Sequence, residues 1–123
     1  MREVARATWG NPSSIHADGR AARAVVEDAR AAVALLTGGD PRDVLLTSGG
    51  TEANNIGVRS AFGGEPRWLF TSRLEHPSVA RVAEALAREG RAHVRWLRVT
   101  SAGAVDLDDL AEALAAAPSA VAL

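Results

Sequence analysis

Apolar positions along the chain fall into two spacings that take turns. Ala22, Val25, Val26, Ala29, Val33 and Leu36 recur with the 3.6-residue period of a helix over Ala21 to Leu36. Asp18 or Gly19 suits the start of that helix and Gly38-Gly39 its stop. Val44 to Thr47 is a short apolar run and predicts a buried strand. A helix follows over 51–62, on which Ala53, Ile56 and Phe62 can share one face. Arg67-Trp68-Leu69-Phe70-Thr71 is the next predicted strand. Pro77 suits the first position of a helix with Val79, Val82, Ala83 and Leu86 inward, capped by Gly90. His93-Val94-Arg95-Trp96-Leu97 alternates and predicts a strand nearer a sheet edge. Asp106 suits the N-cap of a helix carrying Leu107, Leu110, Ala111 and Leu114, which Pro118 breaks. Ser119 to Leu123 opens another apolar strand.

The order α-β-α-β-α-β-α-β predicts an α/β fold: three layers, a mostly parallel sheet with flanking helices. Ligands in such sheets sit beyond the carboxyl ends of the strands. Two polar clusters fall there, Thr47–Thr51 and Thr71–His76, and they could face one crevice.

The first cluster, Thr47-Ser48-Gly49-Gly50-Thr51, has the chemistry of an anion cradle. First-turn amides lack intrahelical acceptors and carry partial positive charge. Gly49 and Gly50 let a ligand approach the backbone, and Ser48 and Thr51 add hydroxyls. An ordinary βα turn of small residues is the competing reading. His76, just before Pro77, reads on local chemistry as a helix cap or a surface residue. His16 and His93 read as structural or exposed, and Trp68 and Trp96 as packing residues. Gly10-Asn11-Pro12-Ser13-Ser14 is turn chemistry leading into a helix.

Composition narrows the partners. The 123 residues carry a net charge of -1, which gives no electrostatic case for nucleic acid or an anionic membrane. No apolar run approaches the roughly 18 residues of a membrane-spanning helix, and the N-terminus lacks a signal-peptide core. There is no cysteine, hence no thiolate nucleophile, and no metal site is expected. All 14 basic Lys/Arg positions are arginine.

Four stretches taken together resemble the pyridoxal-phosphate-dependent cysteine desulfurases of the class V aminotransferase superfamily. They are Gly10 to His16, Leu46 to Asn55, Thr71 to His76, and Gly103 to Leu107 before a helix. The resemblance covers the chain from about Arg6 onward. It implies part of the large, cofactor-binding domain of a PLP transferase, with pyridoxal 5'-phosphate as cofactor. It implies that Gly50 and Thr51 hold the cofactor phosphate, and that His76 stacks on the pyridine ring and helps move protons. It places Asn11 to Ser14 near the active-site entrance, at a dimer interface. The implied reaction takes sulfur from L-cysteine, leaves L-alanine and passes sulfur to an acceptor or scaffold protein, in a cytoplasmic homodimer. A selenocysteine lyase of the same superfamily, or a non-catalytic phosphate-binding α/β module, are the alternatives.

Departures from the family pattern set further expectations. The family attaches its cofactor through a lysine and carries sulfur on a cysteine, and this sequence has neither. A last strand ending in a bare carboxylate at Leu123 would set charge beside apolar neighbours. The chain is therefore expected to be the first third or so of the family's cofactor-binding domain, inactive and marginally stable alone. The resemblance implies that Val44–Thr47 pairs with a strand from later in such a protein, so its edge would stay open here.

Overall fold

The computed structural model describes residues 2–117 and 120–123, which form two compact units, 1–46 and 47–123. The predictions at Pro118 and Ser119 lie outside the described residues. The first unit holds helices α1 (Arg2–Ala7) and α2 (Ala17–Thr37) and a short 3-10 helix, Pro41–Asp43. α2 starts earlier than its apolar period predicts because His16 caps it. The His16 Nδ1 accepts the Gly19 N–H at 3.3 Å, a role the sequence offered to Asp18 or Gly19. The loop before α2 lies so close that a Cβ on Gly19 would stand 2.4 Å from the Ser14 carbonyl oxygen, so only glycine fits.

Two expectations for this part of the chain fail. The apolar stripe of α2 is buried only around Ala22 and Ala34, while Leu36 is 87% exposed. Among the described residues of the unit, the preceding loop and the 3-10 helix pack on α2 and cover a narrow strip. Val44–Thr47 is not a strand. Val44 is extended, but its N–H returns to the Pro41 carbonyl and its own carbonyl accepts the Arg30 guanidinium. An extended segment becomes a strand only with a ladder partner, and among the described residues it has none.

The second unit is built on a parallel three-stranded sheet of order β2-β1-β3, from β1 (Arg67–Ser72), β2 (Ala92–Leu97) and β3 (Val121–Ala122). β1 pairs with β2 from Arg67↔Ala92 to Ser72↔Leu97, and with β3 at Leu69↔Val121 and Phe70↔Ala122. β2 is an edge strand, as its alternation predicts. Successive β1 side chains point to opposite faces. Leu69 joins Val58, Phe62, Val82 and Leu86 against α3 (Gly50–Ser60) and α4 (Pro77–Arg88). Phe70 joins Leu97 and Ala113 against α5 (Leu107–Ala116). Helices thus cover both faces, giving the three layers. Fully buried Phe62, Leu69 and Leu86 each contribute about 1.5–3 kcal/mol by leaving water.

α4 buries Val82, Ala83 and Leu86, as its period predicts. It ends at Arg88 with Glu89 as C-cap, and Gly90 just beyond has a φ of 68° that suits glycine; Arg91 N–H reaches the Leu86 carbonyl and Gly90 N–H that of Ala87. Two helix faces differ from prediction. On α3 the inward residue is Val58, with Phe62 four positions on, while Ile56 is 41% exposed. On α5 Leu107 is 73% exposed and the inward stripe runs through Asp109 and Ala113. The Asp106 cap is as predicted, accepting the N–H groups of Asp108 and Asp109. The α5 stripe rotates because Asp109 is drawn inward by two donors on β2 and just beyond it, Arg95 Nη2 and Arg98 N–H, each at 2.7 Å.

Candidate functional site

α3 starts with Gly49 as its N-cap, and no side chain caps its first-turn amides. The leading amides of α3 therefore lack both intrahelical and side-chain acceptors. The Thr51 hydroxyl makes no hydrogen bond among the described residues. A Cβ added at Gly49 or Gly50 would meet nothing within 4 Å; Gly49 is extended, at φ 166°, and neither residue lies in the left-handed region that favours glycine. The chain's own packing does not call for glycine there.

Ser48 departs from the expectation that it offers a free donor. Its N–H and its hydroxyl both donate to Glu52 Oε2, each at 2.7 Å. Glu52 stands three residues past the cap, where a carboxylate reaches back over a helix start. The Ser48 hydroxyl, and after it the Ser48 amide, hold the Glu52 carboxyl below its ordinary pKa.

α4 starts with His76 as N-cap and Pro77 at the first position. His76 Nδ1 accepts the Ser78 N–H at 3.2 Å and lies 2.8 Å from Ser78 Oγ. Ser78 is buried, and Asn54 Nδ2 donates to its Oγ at 2.7 Å. The local cap reading of His76 is thus realised, and its ring also lines a cavity.

That cavity, about 330 Å³, runs between α3 and the first half of α4, from Thr51 in the first turn of α3 to Arg59 in its last. Thr51, Asn55 and Arg59 line it from α3, four positions apart and so on one helix face. His76, Ser78 and Arg81 line it from the α4 side. Thr51 and His76 therefore meet at one cavity, and Gly50 belongs to the same turn as Thr51 without forming part of the wall. Arg59 is paired with Glu89 at 3.0 Å, whereas Arg81 makes no ion pair among the described residues. Two guanidinium groups and an imidazole make the wall receptive to anions.

Sequence reasoning missed Asn54, Asn55, Arg59, Ser78 and Arg81. The 51/55/59 spacing could have shown the α3 wall. Asn54 and Ser78 are 24 residues apart, and nothing local announces their bond. The two strand tryptophans pack as expected, away from the cavity: Trp68 lies 5.4 Å from the His93 ring, and Arg73 sits 3.6 Å over Trp96. Asn11 Oδ1 accepts the Ser13 N–H at 2.9 Å within the turn predicted there. Among the described residues no helix is long and apolar enough to cross a membrane.

The parallel sheet with helices on both faces defines an α/β layered architecture. A solved NifS-like protein shares it with a TM-score of 0.75 and 31% identity, over 89% of this chain and 30% of that one. A class-V aminotransferase family model matches residues 1–123, and the chain belongs to that family. The cysteine desulfurase of Nostoc sp. is 40% identical over 86% of this chain and 27% of its own length. The selenocysteine lyase of Bos taurus is 34% identical over 93% of this chain and 31% of its own length. The chain thus spans less than a third of the length of these relatives.

Proposed function

We propose that this chain supplies the phosphate and ring contacts for pyridoxal 5'-phosphate in a cysteine desulfurase. The meeting of Thr51 and His76 at one cavity carries the reading. The amides of Gly50 and Thr51 and the free Thr51 hydroxyl would hold the phosphate, as uncapped helix starts do. His76 would offer a flat π face to the pyridine ring and its Nε2 to protons in transit. When bound, pyridoxal phosphate supplies an electron sink for carbanions next to nitrogen. A cavity of this size suits a small cofactor.

This sequence holds no lysine and no cysteine, so covalent attachment and sulfur carriage are assigned to residues outside it. The whole protein is proposed to convert L-cysteine to L-alanine and to pass sulfur to an acceptor or scaffold protein for iron–sulfur cluster assembly or thiolation. It would do so as a cytoplasmic homodimer, with Asn11 to Ser14 near the entrance. The Bos taurus relative supports a second reading, selenocysteine as substrate, on the same contacts.

Equilibrium binding of pyridoxal phosphate to the chain tests the site. Binding should be competed by inorganic phosphate, and Thr51→Val should weaken it about tenfold or more, the loss of a hydrogen bond to a charged group. Absence of binding at millimolar cofactor, or wild-type affinity in both Thr51→Val and His76→Ala, overturns the reading.

A further inference from the structure

We propose that Ser78 and Asn54 are positioning residues that fix the His76 imidazole with its proton on Nε2. This rests on the reading of His76 as the contact to the cofactor ring.

The Ser78 backbone N–H fixes the first point. Its hydrogen has one place to be, and it is given to His76 Nδ1 at 3.2 Å. Nδ1 must therefore present a lone pair, and a neutral ring then carries its hydrogen on Nε2. The Ser78 hydroxyl adds to this. Asn54 Nδ2 donates to Ser78 Oγ at 2.7 Å, which leaves that hydroxyl's own hydrogen free for Nδ1, 2.8 Å away. One buried serine thus gives Nδ1 two donors, and Asn54, reaching from α3, sets the direction of the second.

This network gives His76 a definite role in the cavity. With Nδ1 engaged, Nε2–H is the ring's free group, and it is a donor. His76 meets an electron-rich atom as a hydrogen-bond donor. To accept at Nε2 the ring must change tautomer, which sets an N–H against the Ser78 amide, loses that contact and forces the Ser78 hydroxyl to turn from donor to acceptor. The arrangement also holds the ring plane, because two bonds from one residue leave it little freedom about its side-chain torsions. Neither Ser78 nor Asn54 need touch the cofactor to do this.

The tautomer can be read directly. Long-range imidazole 15N–1H correlation spectra of the chain separate Nε2–H from Nδ1–H rings, and His76→Gln identifies the His76 signals among the three histidines. Wild type should show the Nε2–H form. Ser78→Ala removes the hydroxyl donor. Asn54→Asp turns that hydroxyl away from Nδ1, toward a carboxylate. Each should raise the Nδ1–H to Nε2–H ratio about two- to tenfold, the worth of one neutral hydrogen bond. Ser78→Thr keeps the hydroxyl and should restore the wild-type ratio, which a purely structural role for Ser78 would not require. An Nδ1–H ring in the wild type overturns the proposal. So does an unchanged ratio in both Ser78→Ala and Asn54→Asp, or a shift in Ser78→Thr as large as in Ser78→Ala. Adding pyridoxal phosphate to the wild type reads the cofactor site separately: an unmoved Nε2 signal overturns that reading, while the tautomer ratios are obtained with no cofactor present.

Discussion

Arg95 Nη2 lies 2.7 Å from Asp109 Oδ1 and ties β2 to the first turn of α5. The other carboxylate oxygen accepts the Arg98 N–H at 2.7 Å, and the side chain is 4% exposed. The Arg98 amide, followed by the Arg95 guanidinium, holds the Asp109 carboxyl below its ordinary pKa. A depressed carboxyl stabilises the fold above its unfolded value, about 3.9, and that share is lost as pH falls through the lower folded value. Asp109→Asn should therefore lower the urea midpoint clearly at pH 7, since it leaves a buried amide facing a cation. The gap to wild type should narrow at the lowest pH at which both proteins remain folded. Urea unfolding at the two pH values checks this, and a gap that widens in acid contradicts it.

The same aspartate shows where the sequence stops being legible. β1, β2 and α4 follow their apolar spacing, because burial on a sheet face imposes that spacing. The inward face of α5 does not, since Asp109 enters the core only by virtue of Arg95 and Arg98, partners that no periodicity reveals. Val44–Thr47 reads as a strand by composition and is not one, because a strand is a property of two segments. At the site, Thr51 and His76 were legible as chemistry after a strand and before a helix. Their meeting at one cavity, and Ser78 between His76 and Asn54, depend on how α3 packs on α4.

The α3 face offers a sharp contrast. Phe62 is wholly buried against Leu69 and Leu86, whereas Ile56 is 41% exposed despite its apolar spacing. Phe62→Ala should cost about 3–5 kcal/mol by transfer and cavity terms together. Ile56→Ala should cost less than about 1 kcal/mol, as surface changes do. Chemical denaturation of the two variants side by side decides it. Equal losses would return Ile56 to the core.

Gly50 and Gly90 should respond in opposite ways to alanine. Gly90 has a φ of 68°, so Gly90→Ala should destabilise by about 1–2 kcal/mol. Gly50 has ordinary backbone and an added Cβ meets nothing within 4 Å, so Gly50→Ala should leave stability unchanged or slightly raised. If the phosphate docks on the α3 amides, the same change should weaken pyridoxal phosphate binding, because the methyl group stands where the anion approaches. Thermal melts and cofactor titrations on both variants separate the two effects. A destabilised Gly50→Ala would show that the chain's own packing needs the glycine.

Glu52 is an acid placed against the start of α3, where the anion is proposed to dock. Its carboxylate sits over the α3 start and accepts both Ser48 donors at 2.7 Å. Negative charge there favours the helix but opposes a phosphate arriving at the same turn. Glu52→Gln removes the charge and loosens Ser48, freeing a further hydroxyl and amide for an anion. Affinity for inorganic phosphate and for pyridoxal phosphate should rise about two- to fivefold at low salt, and the gain should shrink as salt screens the lost repulsion. Because Ser48 lowers the Glu52 pKa, the carboxylate stays charged down through the usual carboxylate range. Between pH 8 and about 5 the Glu52 charge should thus be constant, so the affinity ratio of variant to wild type should fall only as the phosphate takes up its second proton, at about pH 6. Isothermal titration at several pH values and two ionic strengths measures this ratio. A loss of affinity in Glu52→Gln would mean that Glu52 serves the anion site by shaping the turn, and that its charge is of no consequence there.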